Sequence, residues 1–205
     1  EAVISIKRDS LNNTRAKQRT GHGVAILLML GLLTSCAPKE STWKEAVQLQ
    51  SGEVLSVQRT ISFKEYQPIG GGGGGSETTV SSLEVLSPVH ADTPKRWSQP
   101  PLLPMVFDRD PDTNEWFIVA TFYMCQTWHE LGRPLPPYVE FRYRNGQWVR
   151  QPLSEKFIDR ETNMLIPNQA DVGRDHTLGS KYKIMSRPTI AKEYLRVLTI
   201  RKDFC

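Results

Sequence analysis

Asn145-Gly146 stands between YVEFRYR and QWVRQPL, two segments in which apolar and polar residues alternate. Asn-Gly flanked by alternating runs is the strongest short-range hairpin signal, because both central residues of a type I′ turn need positive φ. The same period of two recurs upstream. Ala46-Val47-Gln48-Leu49-Gln50 leads through Ser51-Gly52 into Val54–Phe63, where Val57, Arg59, Ile61 and Phe63 share one side and Gln58, Thr60 and Ser62 the other. Residues i and i+2 of a strand face the same way, so this is a second hairpin with one buried face. Arg59 is the imperfection on that face.

Further strands are predicted at 79–86 (TVSSLEVL), 102–107 (LLPMVF) and 115–125 (EWFIVATFYMC). The last is apolar throughout and rich in β-branched and aromatic residues, which marks a central strand. Residues 88–101 form a Pro-rich loop carrying Trp97, 108–114 (DRDPDTN) a turn, and 126–137 a loop. After Pro152, residues 154–160 (SEKFIDR) predict one or two helical turns with Ser154 as N-cap and Phe157 inward. Residues 163–180 carry little regular pattern. KYKIMS (181–186) and KEYLRVLTI (192–200) fit helix or strand spacing, and strand is favoured for the second. The fold class is therefore all-β: mainly antiparallel sheet, sandwich-like or partial-barrel-like, with one or two short helices.

Gly70–Gly75 is a run of six glycines closed by Ser76. It matches G-x-G-x-x-G trivially, but a phosphate cradle needs a helix after it. Thr78-Thr79-Val80 favours a strand instead. Six residues of maximal ordering entropy predict a flexible loop at 69–77, natural or engineered.

The chain has 205 residues and a formal net charge of +4. Residues 1–35 hold five basic and two acidic residues, and the remaining 21 basic and 20 acidic residues almost cancel. The basic excess thus belongs to a leader. Val24–Leu33 (VAILLMLGLL) is an apolar run of ten, too short to span a bilayer but right for a secretory h-region behind a positive n-region. Leu33-Thr34-Ser35-Cys36 follows, and it resembles the lipobox of bacterial lipoproteins at all four positions. That resemblance implies a signal helix within 1–35, cleavage before Cys36, diacylation of Cys36 and, because Ala37 is not Asp, sorting to the outer membrane. Residues 36–42 are then a polar tether and 43–205 a single β-rich domain. Its resting place is the outer membrane, facing the periplasm or the cell surface. Two acyl chains anchor stably, since each buried methylene contributes about 0.8 kcal/mol.

The stretches WKEAVQLQSGEVLSVQRT, LPMVFDRDPDTNEWFIVATF and PPYVEFRYRNGQWVRQPL resemble a family of proteobacterial proteins that share a Trp-Lys-Glu hairpin opening, this strand pair and an aromatic hairpin. The resemblance covers about a third of the chain after the leader. It implies a small β-rich domain, often lipid-anchored, and carries over no catalytic residue.

With Cys36 lipidated, Cys125 and Cys205 remain in an oxidising compartment, where disulfides persist. They are candidates for a bridge; the alternative is a buried free Cys125 and a frayed Cys205. Cys125 and His129 have C-x₃-H spacing but no second ligand pair, and His90 and His176 stand alone, so no zinc site is expected. Asp108, Asp110, Asp112 and Asn114 alternate as in a calcium loop. However, Thr113 and Val119 occupy the places of the required Gly and bidentate Glu. An acidic turn is the better reading, and no metal or other cofactor is expected.

Nucleophile-elbow, zinc-protease and Ser-Lys patterns are all missing. Arg142–Arg150 mixes rings and cations, but Phe141 and Tyr143 alternate with Arg142 and Arg144, as a half-buried hairpin requires. A near-neutral domain also lacks the footprint of a nucleic-acid binder. Trp97 and Trp128, both on loops, are candidate partner contacts together with His129. The expectation is a lipid-anchored envelope protein whose domain binds another protein or an envelope polymer without catalysis. Two alternatives are a periplasmic hydrolase acting on peptidoglycan or glycan, and a mobile-element or phage-related surface lipoprotein.

Overall fold

The structure, a computed structural model, describes residues 39–66, 75–168, 170–199 and 204–205. The signal segment, Cys36 and most of the glycine run lie outside the described residues. Eight strands form two four-stranded sheets, each antiparallel and each in simple chain order. The first sheet holds β1 (Lys39–Gln48), β2 (Val54–Tyr66), β3 (Gly75–Ser87) and β4 (Trp97–Gln99). The second holds β5 (Leu102–Arg109), β6 (Trp116–Phe122), β7 (Val139–Arg144) and β8 (Gln147–Pro152). Neither closes into a barrel, and the prediction of a mainly antiparallel all-β fold with short helices holds. β1 begins at Lys39, so the strand takes in four residues assigned to the tether.

Both predicted hairpins are present. Val47 pairs with Leu55 across Ser51-Gly52, and Arg144 pairs with Gln147 across Asn145-Gly146. Asn145 and Gly146 have φ of 51° and 78°, the left-handed values that the two-residue turn demands.

One apolar core joins the sheets. Val47, Leu55, Val57, Leu83 and Trp97 come from the first; Phe107, Trp116, Ile118 and Phe141 come from the second. A second cluster covers the other face of the second sheet. There Met105, Phe117, Val119 and Tyr138 pack against Phe157 and Val197 of the C-terminal segment. The second sheet is thus buried on both faces, which explains why all seven residues of β6 are buried.

The helices depart from prediction. α1 (Cys125–Glu130) lies where a strand end and a loop were expected, and β6 stops at Phe122. A single 3₁₀ turn, Glu155–Phe157, buries Phe157 as expected, although Ser154 makes no capping hydrogen bond. α2 (Leu178–Met185) starts at Thr177, whose hydroxyl accepts from the Ser180 N–H, and it buries Lys181 and Ile184. α3 (Lys192–Leu195) replaces the favoured terminal strand, of which only an isolated Glu161–Arg196 bridge forms. Spacing could not decide these short segments. Contact with distant strands decides them, as where His176 bridges to Glu45 just before α2.

Candidate functional site

The predicted contact residues do not assemble into one surface. Trp97 has no exposed surface and Trp128 has 2%. Trp97 meets Phe141 edge-on at 5.4 Å, and Trp128 donates from Nε1 to the Pro134 carbonyl. Both rings are core, since a buried ring cannot offer a partner its first contact. His129 is exposed, and its Nδ1 accepts from Arg133 Nε at 2.7 Å.

Cys125 and Cys205 are joined in a disulfide with Cα atoms 5.7 Å apart. It fastens the C-terminus to α1 and not to the central strand. Phe204 packs beside it against Phe122 and Trp128.

The acidic turn uses its carboxylates on protein cations. Asp108 receives Arg160 and the backbone N–H of Gln50 and Arg109. Asp110 receives Arg142 and Lys156, and Asp112 receives Lys156. Among the described residues no group of three or more His, Cys, Asp or Glu side chains is placed to share an ion. Burial pushes the Asp108 carboxyl up, and its donors offset this only in part. At Asp110 burial pushes the same way, but hydrogen bonds from Lys156 and Arg142 outweigh it and hold the carboxyl well below its ordinary range.

Arg142 corrects the expectation of a solvated charged face. It is 3% exposed, because the C-terminal segment covers the side of β7 that it shares with Glu140. Its Nε donates to Glu140 and its Nη1 to Asp110, and it lies 5.4 Å and 5.2 Å from the Phe117 and Phe157 ring centres. Glu140 also accepts from Gln151 Nε2 and the Ser154 N–H. Arg142 and Lys156 thus face two buried carboxylates, Asp110 and Glu140, and two more exposed ones, Glu115 and Asp112.

A second buried ionic group lies on the inner face of the first sheet and is composed differently. Arg59 and Glu45 are both fully buried, joined Nη1 to Oε1 at 2.8 Å. Arg59 Nη1 also donates to the Leu165 carbonyl, whose own N–H donates to Glu45 Oε2 at 2.7 Å. Lys181 reaches in from α2. Its Nζ donates to the carbonyls of Ala46 and Asn163 and stands 3.5 Å from Glu45 Oε2. Burial pulls this ammonium below the ordinary lysine range, against the attraction of Glu45. Three acceptors surround it, two carbonyls and the Glu45 carboxylate.

Two cations therefore share one carboxylate. Arg59 lies 5.1 Å from the Trp43 ring centre and beside the Tyr123 hydroxyl. Its Nε and Nη2 make no hydrogen bond of good geometry among the described residues, and neither do the buried Tyr123 hydroxyl, Ser81 Oγ and Trp43 Nε1. Unpaired buried donors are rare, and each calls for a physical cause. The sheet register brings Trp43, Arg59 and Ser81 together. Trp43, Arg59 and Leu83 form one row across β1, β2 and β3, and Ser41, Ile61 and Ser81 form the next row on the same face.

A recess of about 400 Å³ borders the second row at Ser41 and Ile61. Ile61, Phe63, Pro167 and Val172 give it apolar walls, Tyr123 lines it, and Glu65 and Ser76 lie toward the open end. Glu65 is paired with Lys39 there. Burial raises the Tyr123 hydroxyl to about 12, partly countered by Arg59 nearby, so it stays protonated at neutral pH. A larger recess of about 550 Å³ runs between α2 and residues 161–164, but Lys181, which lines it, has its ammonium committed to carbonyls.

Sequence reasoning singled out Arg59 only as a flaw in the apolar alternation. Glu45 has the same signal, lying two residues from Trp43 and from Val47 on the inward side. No family model, curated protein or solved structure matches the chain.

Proposed function

We propose that this is a lipid-anchored cell-envelope protein whose folded domain is a non-catalytic binding module. The observation that carries this reading is the ten-residue apolar run closing on Leu33-Thr34-Ser35-Cys36 behind a basic segment. The Cys125–Cys205 disulfide supports it, because such bonds persist in exported compartments. β1 starts three residues after Cys36, a span of roughly 10 Å at full extension. Lipid on Cys36 would therefore hold the first sheet close to the bilayer. The domain then presents itself to an envelope protein or polymer from the membrane surface. The partner and the resemblance to lipid-anchored proteobacterial proteins belong to this proposal.

Mass spectrometry of the membrane fraction tests it. The expected N-terminus is a diacylated Cys36, and the Cys36→Ser chain should leave that fraction. A soluble protein retaining residues 1–35 would overturn the reading.

A further inference from the structure

We infer that the outer edge of β8 is a pairing site for a second copy of this chain, with the two β8 strands antiparallel and Val149 on the two-fold axis. The inference goes beyond the binding reading and is independent of the anchor, since every residue used lies within the described fold.

β8 is the last strand of the second sheet, bonded on one side to β7. No described residue bonds to the backbone of Trp148 or Arg150 from the other side. Such an edge is a template for another strand, and proteins blunt it with bulges, charges or proline. β8 has no bulge in its register with β7, no acidic residue and a single cation, Arg150. Val149 lies at its middle, and this apolar side chain is 44% exposed.

The hairpin decides which groups point outward. Arg144 and Gln147 flank the two-residue turn, so they exchange hydrogen bonds, and the pattern alternates from there. Gln147, Val149 and Gln151 therefore spend their backbone groups on β7, while Trp148, Arg150 and Pro152 turn theirs outward. Pro152 has no N–H. Trp148 and Arg150 are thus the strand residues that offer both a donor and an acceptor.

This restricts the register. With Trp148 opposite Arg150 of the second copy, and the reverse, each pair exchanges both backbone hydrogen bonds. Val149 then faces Val149 in the position where side chains stand closest, and Gln147 faces Gln151. Each Arg150 lies across from a half-buried Trp148, a cation beside a ring. A shift of two residues one way sets Arg150 against Arg150 and Trp148 against Pro152, which repels and loses donors. The opposite shift sets Arg150 against Gly146, whose φ of 78° takes it out of the strand. The two-fold pairing is closed, because it uses the same edge of both copies.

Thiol cross-linking tests the register. In the Cys36→Ser chain, Cys125 and Cys205 are bonded to each other and leave no other free thiol. Val149→Cys in that chain should form a disulfide-linked dimer on mild oxidation with copper phenanthroline. Gln147→Cys, equally exposed, faces Gln151 and should form none. Light scattering during gel filtration of the Cys36→Ser chain should give twice the monomer mass. Arg150→Pro removes an outward N–H and spares the ladder to β7, so it should give monomers with an unchanged far-ultraviolet circular dichroism spectrum. Val149→Lys sets two ammonium groups together at an exposed position and should also give monomers. A monomeric Cys36→Ser chain would overturn the proposal, whether or not a strand of another protein takes the edge. Cross-linking at position 147 as efficient as at 149, or dimers that persist in both Arg150→Pro and Val149→Lys, would overturn it as well.

Discussion

The two buried ionic groups are built from the same residue types and differ in their arithmetic. On the second sheet, Arg142 and Lys156 meet the buried Asp110 and Glu140 and the more exposed Glu115 and Asp112, and Arg142 Nε and Nη1 both have acceptors. On the first sheet, Arg59 and Lys181 meet Glu45 alone, and one edge of Arg59 has no acceptor among the described residues. A balanced group locks elements together: here it ties the acidic turn, β7 and the segment after β8. The group on the first sheet instead ties β1 and β2 to Leu165 and α2 through a single carboxylate.

Substitution by an isosteric apolar residue should make the contrast measurable. Arg142→Met leaves Glu140 fully buried with only neutral donors, Gln151 and Ser154. The expected loss is about 3–5 kcal/mol in urea unfolding, the range for breaking a buried pair. Arg59→Met breaks the pair with Glu45 and the hydrogen bond to Leu165, but it leaves Glu45 with Lys181, one charge against one. About 1–3 kcal/mol is expected there. If Arg59→Met costs as much as Arg142→Met, the positive excess is not real and the two groups are alike.

The disulfide should come next in size. Its cysteines are 80 positions apart, and the chain-entropy model puts closure of such a loop at about 4.5 kcal/mol, with about 2–4 typical in practice. Cys125→Ser/Cys205→Ser should therefore lower stability by about 2–4 kcal/mol in urea unfolding. The bond holds α1 and Phe204. Unchanged urea midpoints would show that the bond fastens nothing that the rest of the fold does not already hold.

The sheets were legible in the sequence because their signals are local. Period-two alternation located both hairpins, and Asn145-Gly146 set the register of one of them. Arg59 was visible as an exception to that alternation. Its partners were not visible, because Leu165 and Lys181 come from more than a hundred residues away. Arg142 was misplaced for a related reason. A strand pattern gives two faces but does not say whether a second layer covers the polar one, and Phe157 and Val197 supply that layer. α2 was open to the same ambiguity. Its capping Thr177 was a local signal, but six residues of KYKIMS are too few for periodicity to separate helix from strand.

The smallest expected effect is also the finest test of how a balanced group differs from a partly offset charge. Asp108 and Asp110 lie two residues apart and are both buried, yet their carboxyls shift in opposite directions. Asp110 is held below its ordinary value of 3.8, so its contribution to stability is fully present above that value and is lost progressively as pH falls below it toward the lowered value. Asp108 is raised, so the fold binds its proton more tightly than the unfolded chain does. Its contribution is therefore fully present at low pH and is lost as pH rises through the raised value. Urea midpoints measured from pH 7 to pH 3 should show this. Asp110→Asn should flatten the acid loss relative to wild type, and Asp108→Asn should steepen it, because a group that opposed the loss is gone. Parallel profiles for all three proteins would mean that Arg142 and Lys156 do not hold Asp110 as an ion, and the balance ascribed to the second sheet would fail.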